Sequence, residues 1–243
     1  LIVPVVVLAR PRRRWLPCAL VVAVVVGSVA ALVLALGGEY AVASFRSVLA
    51  RNSYETVWAL IDGNLTTGLV APAESHLDPE SVSALAGNPA RVPFWLKTAL
   101  FGLLGLFVFP QADLRDAAPR RTVAFVALTL VIFFLWSKGW SPQWQLFLFP
   151  LVLLSLPYRR AFFFVMALSI VNILEWPLLL SRGIGVGLYL TVPLRTALFV
   201  ALGVALWKQV RRTRFLSPAA IAARLTSHPG DPRHQRDGLR ERS

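Results

Sequence analysis

Residues 122–156 read TVAFVALTLVIFFLW, SKGWSPQ, WQLFLFPLVLLSL: two apolar runs, Thr122–Trp136 and Trp144–Leu156, joined by Ser137-Lys138-Gly139-Trp140-Ser141-Pro142-Gln143. Apolar runs of this length, joined by a link of a few residues, read as antiparallel helices in a membrane. The link itself is more than a turn. It sets a cation, hydrogen-bonding groups and aromatic rings between two greasy segments, and a lysine at membrane depth is costly unless it meets an anion or water. A phosphate-bearing ligand is the first candidate; an interfacial lysine in an aromatic belt is the alternative.

The same pattern extends in both directions. Trp15–Leu36, Phe94–Phe109, Ala161–Leu180 and Ile184–Trp207 are further apolar segments. Of the 243 residues 56% are hydrophobic and the mean hydropathy is +0.64, too apolar for a soluble domain of this length. The expected fold class is therefore all-α: a polytopic transmembrane helical bundle. Leu1–Ala9 would span only about 14 Å as a helix, and the arginines at 10 and 12–14 follow this run rather than precede it. Residues 1–9 thus read as the end of a membrane helix whose beginning is missing.

A net charge of +13 would suggest nucleic acid in a soluble protein, but the charges follow topology. If the arginines at 10–14 are cytoplasmic, alternation places 111–121, 158–160 and the chain from Lys208 onward on the same side. That face carries 18 basic and five acidic residues, the opposite face six of each. Membrane sidedness accounts for the whole excess, and nucleic acid is not expected as a partner. The domain reading is a transmembrane region at 10–210 with an extracytoplasmic insertion at 37–93, and a basic, disordered cytoplasmic tail at 211–243 near anionic lipid.

Within the insertion, Ala43–Ile61 has helical periodicity. Phe45, Val48, Leu49, Val57, Leu60 and Ile61 would form an apolar face lying on the bilayer, so an interfacial helix is expected here. Asp62-Gly63-Asn64 is a helix stop, and Asn64-Leu65-Thr66 has the form of a glycosylation sequon. The lone Cys18 falls in an apolar run and excludes a disulfide within the chain. No metal-ligand spacing or Gly-rich phosphate loop occurs, and His76, His228 and His234 fall in polar loop or tail. No cofactor is identified; a divalent metal stays open without a visible ligand set.

Three features can carry chemistry, and all point to the outer side. The first is Lys138 with Trp140, Ser141 and Gln143. The second is Glu175 with Arg195, the only charged residues well inside predicted spans; each needs a partner there, and a structural intramembrane pair between them is expected. The third is the polar face of Arg51-Asn52-Ser53-Tyr54-Glu55-Thr56-Val57-Trp58-Ala59-Leu60.

The Arg51-x-x-x-Glu55-Thr56-x-Trp58-Ala59-Leu60 segment after a membrane span, followed by Lys138-x-x-Ser141-Pro142-Gln143 between apolar runs, resembles the C-terminal half of bacterial multi-pass glycosyltransferases of the GT-C architecture. The likeness is to polyprenol-phosphate-mannose-dependent mannosyltransferases, and spans roughly residues 15–210. The resemblance implies an enzyme of the bacterial plasma membrane taking a sugar, mannose first, from a polyprenyl-phosphate donor to a glycan, lipid or protein acceptor on the extracytoplasmic face. It implies a donor-phosphate site of Lys138, Arg51 and Arg182, and sugar or acceptor contacts from Glu55, Ser141, Gln143 and Trp140. The family's catalytic carboxylate lies in a first outer loop expected upstream of this chain, so no residue here is assigned as the base. The rivals are a transporter or lipid flippase with Glu175 and Arg195 along its path, and a non-catalytic envelope-assembly subunit.

Overall fold

The computed structural model describes residues 15–50, 52–65, 87–112, 114 and 119–211. The expected helix end at 1–9 and the tail from 212 lie outside the described residues. Every regular element among the described residues is helical. In chain order these are α1 (Trp15–Ala50), α2 (Val57–Asp62), α3 (Phe94–Val108), α4 (Pro119–Trp136), α5 (Gln145–Ser155), α6 (Tyr158–Ile173) and α7 (Leu188–Val210). Five helical stretches are long and apolar enough to cross a membrane: Leu16–Arg46, Phe94–Gln111, Pro119–Trp136, Tyr158–Arg182 and Gly185–Val210. The chain is an integral membrane protein. Pro142–Ser155 is a shorter apolar helical stretch between them.

Proline sets many of the helix starts, since its fixed φ suits a first turn and its missing N–H has no partner there to lose. Pro93 precedes α3, Pro119 opens α4, Pro142 opens the 3-10 turn that leads into α5, and Pro157 precedes α6. The stretch that follows α6 departs from α-geometry: Leu174–Leu179 is π-helical around Pro177, and a 3-10 turn, Leu180–Arg182, ends it. A proline inside a span leaves the ladder one N–H short, and local π or 3-10 winding absorbs the misfit.

α4 is the centre of the bundle, packed against α7, α5 and α3; α6 closes the other side of α5 and α7. Ala124 and Ala127 on α4 are fully buried and let neighbours approach closely, with Phe125, Leu148, Leu168, Leu202 and Leu206 filling the core. At one end Ala112 and Arg211 pair as an isolated antiparallel bridge; at the other, Tyr54 and Gly139 pair as a parallel one.

The insertion differs from expectation in one respect that matters for the site. Ala43–Ile61 is not one helix. α1 runs on to Ala50 through a non-helical Gly38 (φ 50°, ψ −130°), the chain then extends, and α2 begins only at Val57. Glu55 has φ 52°, a left-handed value that no α-helix accommodates, and Thr56 is extended and caps α2 by accepting from Ala59 N–H at 3.3 Å. The single apolar face drawn through Phe45, Val57 and Leu60 therefore does not form. Phe45 is exposed, while Leu60 packs onto the small core of Leu180, Leu188 and Val192. The helix stop is as read: Gly63, left-handed at φ 81°, turns its N–H back to Ala59 and Leu60.

Candidate functional site

The two motif-bearing segments are joined through their backbones. Tyr54 N–H donates to Lys138 C=O at 3.0 Å, and Trp140 N–H donates to Tyr54 C=O at 3.2 Å. Thr56 Oγ1 adds a bond to Lys138 C=O (3.2 Å), and Trp58 Nε1 donates to Leu135 C=O (2.9 Å). Gly139 is required by this approach: a Cβ there would stand 2.2 Å from the Tyr54 ring. The link contributes its own bracing, with Ser137 Oγ donating to Gly139 C=O at 2.8 Å.

Arg195 fastens this junction to the spans. From α7, its Nη1 donates to Glu175 Oε2 on the π-helical stretch, its Nη2 donates to the backbone C=O of Glu55, and its guanidinium lies 4.7 Å from the Trp140 ring centroid. The residue is 2% exposed. A planar guanidinium suits the position because it can bond in its plane while offering a face to an aromatic ring. Trp140 is itself a core residue, 2% exposed and edge-on to Phe134, Trp144 and Phe199 at 5.2–5.9 Å. The cavity beside it, bordered by Thr56, Arg195 and Phe199, measures about 20 Å³, room for one water and not for a sugar.

Glu55 is the chemically unusual member. It has the left-handed backbone, the residue is 8% exposed, and its Oε2 is buried without a hydrogen-bond partner. Burial raises its carboxyl pKa to about 7; Arg195 pulls the value down and Glu175 pushes it up. Strained backbone of this kind costs on the order of 1–3 kcal/mol and persists only where surroundings over-determine it. Here the Tyr54 bridge on one side, the Thr56 cap on the other and Arg195 on the carbonyl do so.

Behind this junction a second polar cluster ties the insertion to itself. Ser53 Oγ donates to Asp62 Oδ2 (2.5 Å), Arg91 N–H to Asp62 Oδ1 (2.8 Å), and Asn64 Nδ2 to Ser53 Oγ and Asn88 C=O (both 3.1 Å), while Asn88 N–H returns a bond to Asn64 Oδ1 (2.7 Å). Asn64 is 4% exposed and its amide nitrogen donates both of its bonds within the cluster, so this side chain braces the insertion.

Of the residues singled out from sequence, the structure brings Glu55, Trp140, Glu175 and Arg195 into contact, with the Lys138 backbone beside them. Two of these residues are buried. Glu55 was expected to hold sugar or acceptor hydroxyls, but its carboxyl is buried over the Arg195 junction. Trp140 was expected to contact sugar or acceptor; its ring is buried, its Nε1 has no hydrogen-bond partner, and its face is turned to Arg195. Ser141 is half-buried and Gln143 exposed at the start of the 3-10 turn, and Arg182 is exposed at the end of the π-helical stretch. Arg51 lies outside the described residues.

Sequence reading passed over Lys97, which counted only as an outer-loop charge. It is buried at the start of α3, its Nζ 5.1 Å from the Trp58 ring centroid, the ring that also braces Leu135. Its place at the end of an apolar run, beside an aromatic insertion, was the available signal. Asn172, one turn before Glu175 on α6, also has a buried Oδ1 without a partner. Among the described residues no group of three His, Cys, Asp or Glu side chains is arranged to hold a metal ion. Neither protein-family models, nor curated proteins, nor solved structures give a match to this chain.

Proposed function

We propose that this protein is a membrane glycosyltransferase that moves a hexose such as mannose from a polyprenyl-phosphate donor to a glycan, lipid or protein acceptor at the extracytoplasmic face. The observation that supports the reading is the Tyr54–Gly139 bridge. The Glu55-Thr56-x-Trp58 segment and the Lys138-x-x-Ser141-Pro142-Gln143 link lie 80 residues apart, belong together only through the family resemblance, and form one backbone unit. In this reading Lys138, with Arg182 and Arg51 as further cations of the same face, stabilises the leaving lipid phosphate. Ser141 and Gln143 meet sugar or acceptor hydroxyls. Arg195, Glu175, Trp140 and the Glu55 backbone are positioning groups that hold the link in place.

The test is transfer from a synthetic polyprenyl-phosphate mannose by the full protein in liposomes. A charge-assisted contact to phosphate contributes roughly 1.5–3 kcal/mol, about tenfold to a hundredfold in rate. Lys138→Met should lose that much, and Lys138→Arg should keep part of it. Unchanged transfer in the Met variant refutes the role of Lys138.

One observation favours a second reading. A buried ion pair where a helix loses α-geometry is also what a transporter or lipid flippase uses. Movement of a labelled lipid across the bilayer by the wild type, with no sugar transfer, would select it.

A further inference from the structure

At the other end of the bundle, α6 and α7 part around a cleft of about 430 Å³. Three cations line it, Arg159 and Arg160 from the first turn of α6 and Lys208 from the last turn of α7; the rest of its lining is apolar and includes Phe163, Ala201 and Ala205. No acidic side chain lines it, and among the described residues none of the three cations takes part in an ion pair.

We infer that this cleft is a binding site for an anionic phospholipid of the adjoining leaflet. Its phosphate would sit among Arg159, Arg160 and Lys208, and its glycerol and first acyl carbons against Phe163, Ala201 and Ala205. The charge argument comes first. Arg159 and Arg160 occupy a helix N-terminus, where the backbone dipole is already positive and acidic residues are the favourable choice, and that turn contains none. Lys208 adds a third cation across the cleft. Among the described residues no acidic side chain neutralises the group, which leaves it open to an external anion.

The shape argument selects the kind of anion. A free phosphate needs only the cations. The cleft adds an apolar lining because two alanines one turn apart on α7 leave space where larger residues would close it. A headgroup joined to acyl chains fills both halves, and basic pockets between membrane helices are suited to such headgroups. The inference is independent of the transferase reading, since no residue of the Lys138 end takes part.

The experiment measures lipid binding to the purified full chain in neutral detergent, by native mass spectrometry and by the shift in thermal unfolding. The three additions are phosphatidylglycerol, phosphatidylcholine and glycerol 3-phosphate. Phosphatidylglycerol should bind and raise the unfolding midpoint, and the other two should not. Each basic residue near an anionic surface contributes about fivefold in affinity, so Arg159→Gln/Arg160→Gln/Lys208→Gln should weaken binding on the order of a hundredfold, and Arg160→Gln alone about fivefold. Ala205→Trp keeps every charge but fills the apolar half, and it should also abolish the shift. The proposal is overturned if the triple variant and Arg160→Gln both bind phosphatidylglycerol like the wild type. It is equally overturned if Ala205→Trp leaves binding intact, which would reduce the effect to surface charge, or if glycerol 3-phosphate stabilises as well as the lipid.

Discussion

Glu55→Gln isolates the charge of that carboxyl from everything else the residue does. The two side chains have the same length, both must accept the φ of 52°, and the backbone C=O that receives Arg195 is unaltered. Strain and shape therefore cancel in the comparison. What differs is titration: burial, outweighing the pull of Arg195 and reinforced by Glu175, raises the Glu55 pKa from 4.5 to about 7. Below pH 4.5 the carboxyl is protonated folded or unfolded, and it contributes nothing to pH dependence. Between 4.5 and 7 the folded protein keeps a proton that the unfolded chain releases, so stability falls as pH rises. Above 7 the folded state carries the full cost of a buried carboxylate. At about 1.4 kcal/mol for each pH unit of separation, the wild type should be about 3 kcal/mol less stable at pH 8 than at pH 4.5 on this account alone.

The Gln variant lacks that cost. Unfolding of both proteins in detergent, followed from pH 4.5 to 8.5, should give nearly equal stability at the acid end and a growing advantage for Glu55→Gln toward the alkaline end. A gap that stays constant would show that Glu55 does not titrate in this range. A gap that favours the wild type more as pH rises would mean that Arg195 holds the carboxylate charged, and the burial argument would be wrong.

Two further outcomes test the junction itself. Arg195→Gln should destabilise the protein more than Glu175→Gln, because Arg195 also holds the Glu55 carbonyl and the Trp140 ring. Breaking a buried pair costs on the order of 3–5 kcal/mol, and the double variant should fall short of the sum of the singles by about 0.5–3 kcal/mol in a double-mutant cycle read by unfolding; strict additivity would argue against the coupling. Gly139→Ala should cost about 1–3 kcal/mol by driving a methyl group into the Tyr54 ring. Adding Tyr54→Ala should recover part of that loss, and no recovery would place the damage elsewhere.

The spans were legible in the sequence because a membrane makes their structure local. Backbone groups in lipid must be satisfied within the segment that carries them, so an apolar run such as Thr122–Trp136 is a helix whatever its neighbours do, and a proline at its boundary marks where it begins. The Glu175–Arg195 contact was legible for a related reason. Two opposite charges inside otherwise apolar helices leave each other as the obvious partner.

The insertion between α1 and α3 is freed from that constraint, and there the reading from periodicity failed. Ala43–Ile61 contains no proline or glycine to mark a break, and its apolar spacing suits a helix. The chain leaves helical geometry there because Tyr54 and Glu55 find backbone partners far along the sequence: Tyr54 N–H at Lys138, and the Glu55 C=O at Arg195, 140 residues on. The burial of Trp140 was not legible for the same reason. Beside a lysine in a short link it has the composition of an interfacial anchor, and its core position comes from Phe134, Trp144, Phe199 and Arg195 gathering around it. The polar junction is therefore specified by pairs of segments rather than by any one of them, which is why substitutions at Gly139 and Tyr54, or at Glu175 and Arg195, should reveal their meaning only when combined.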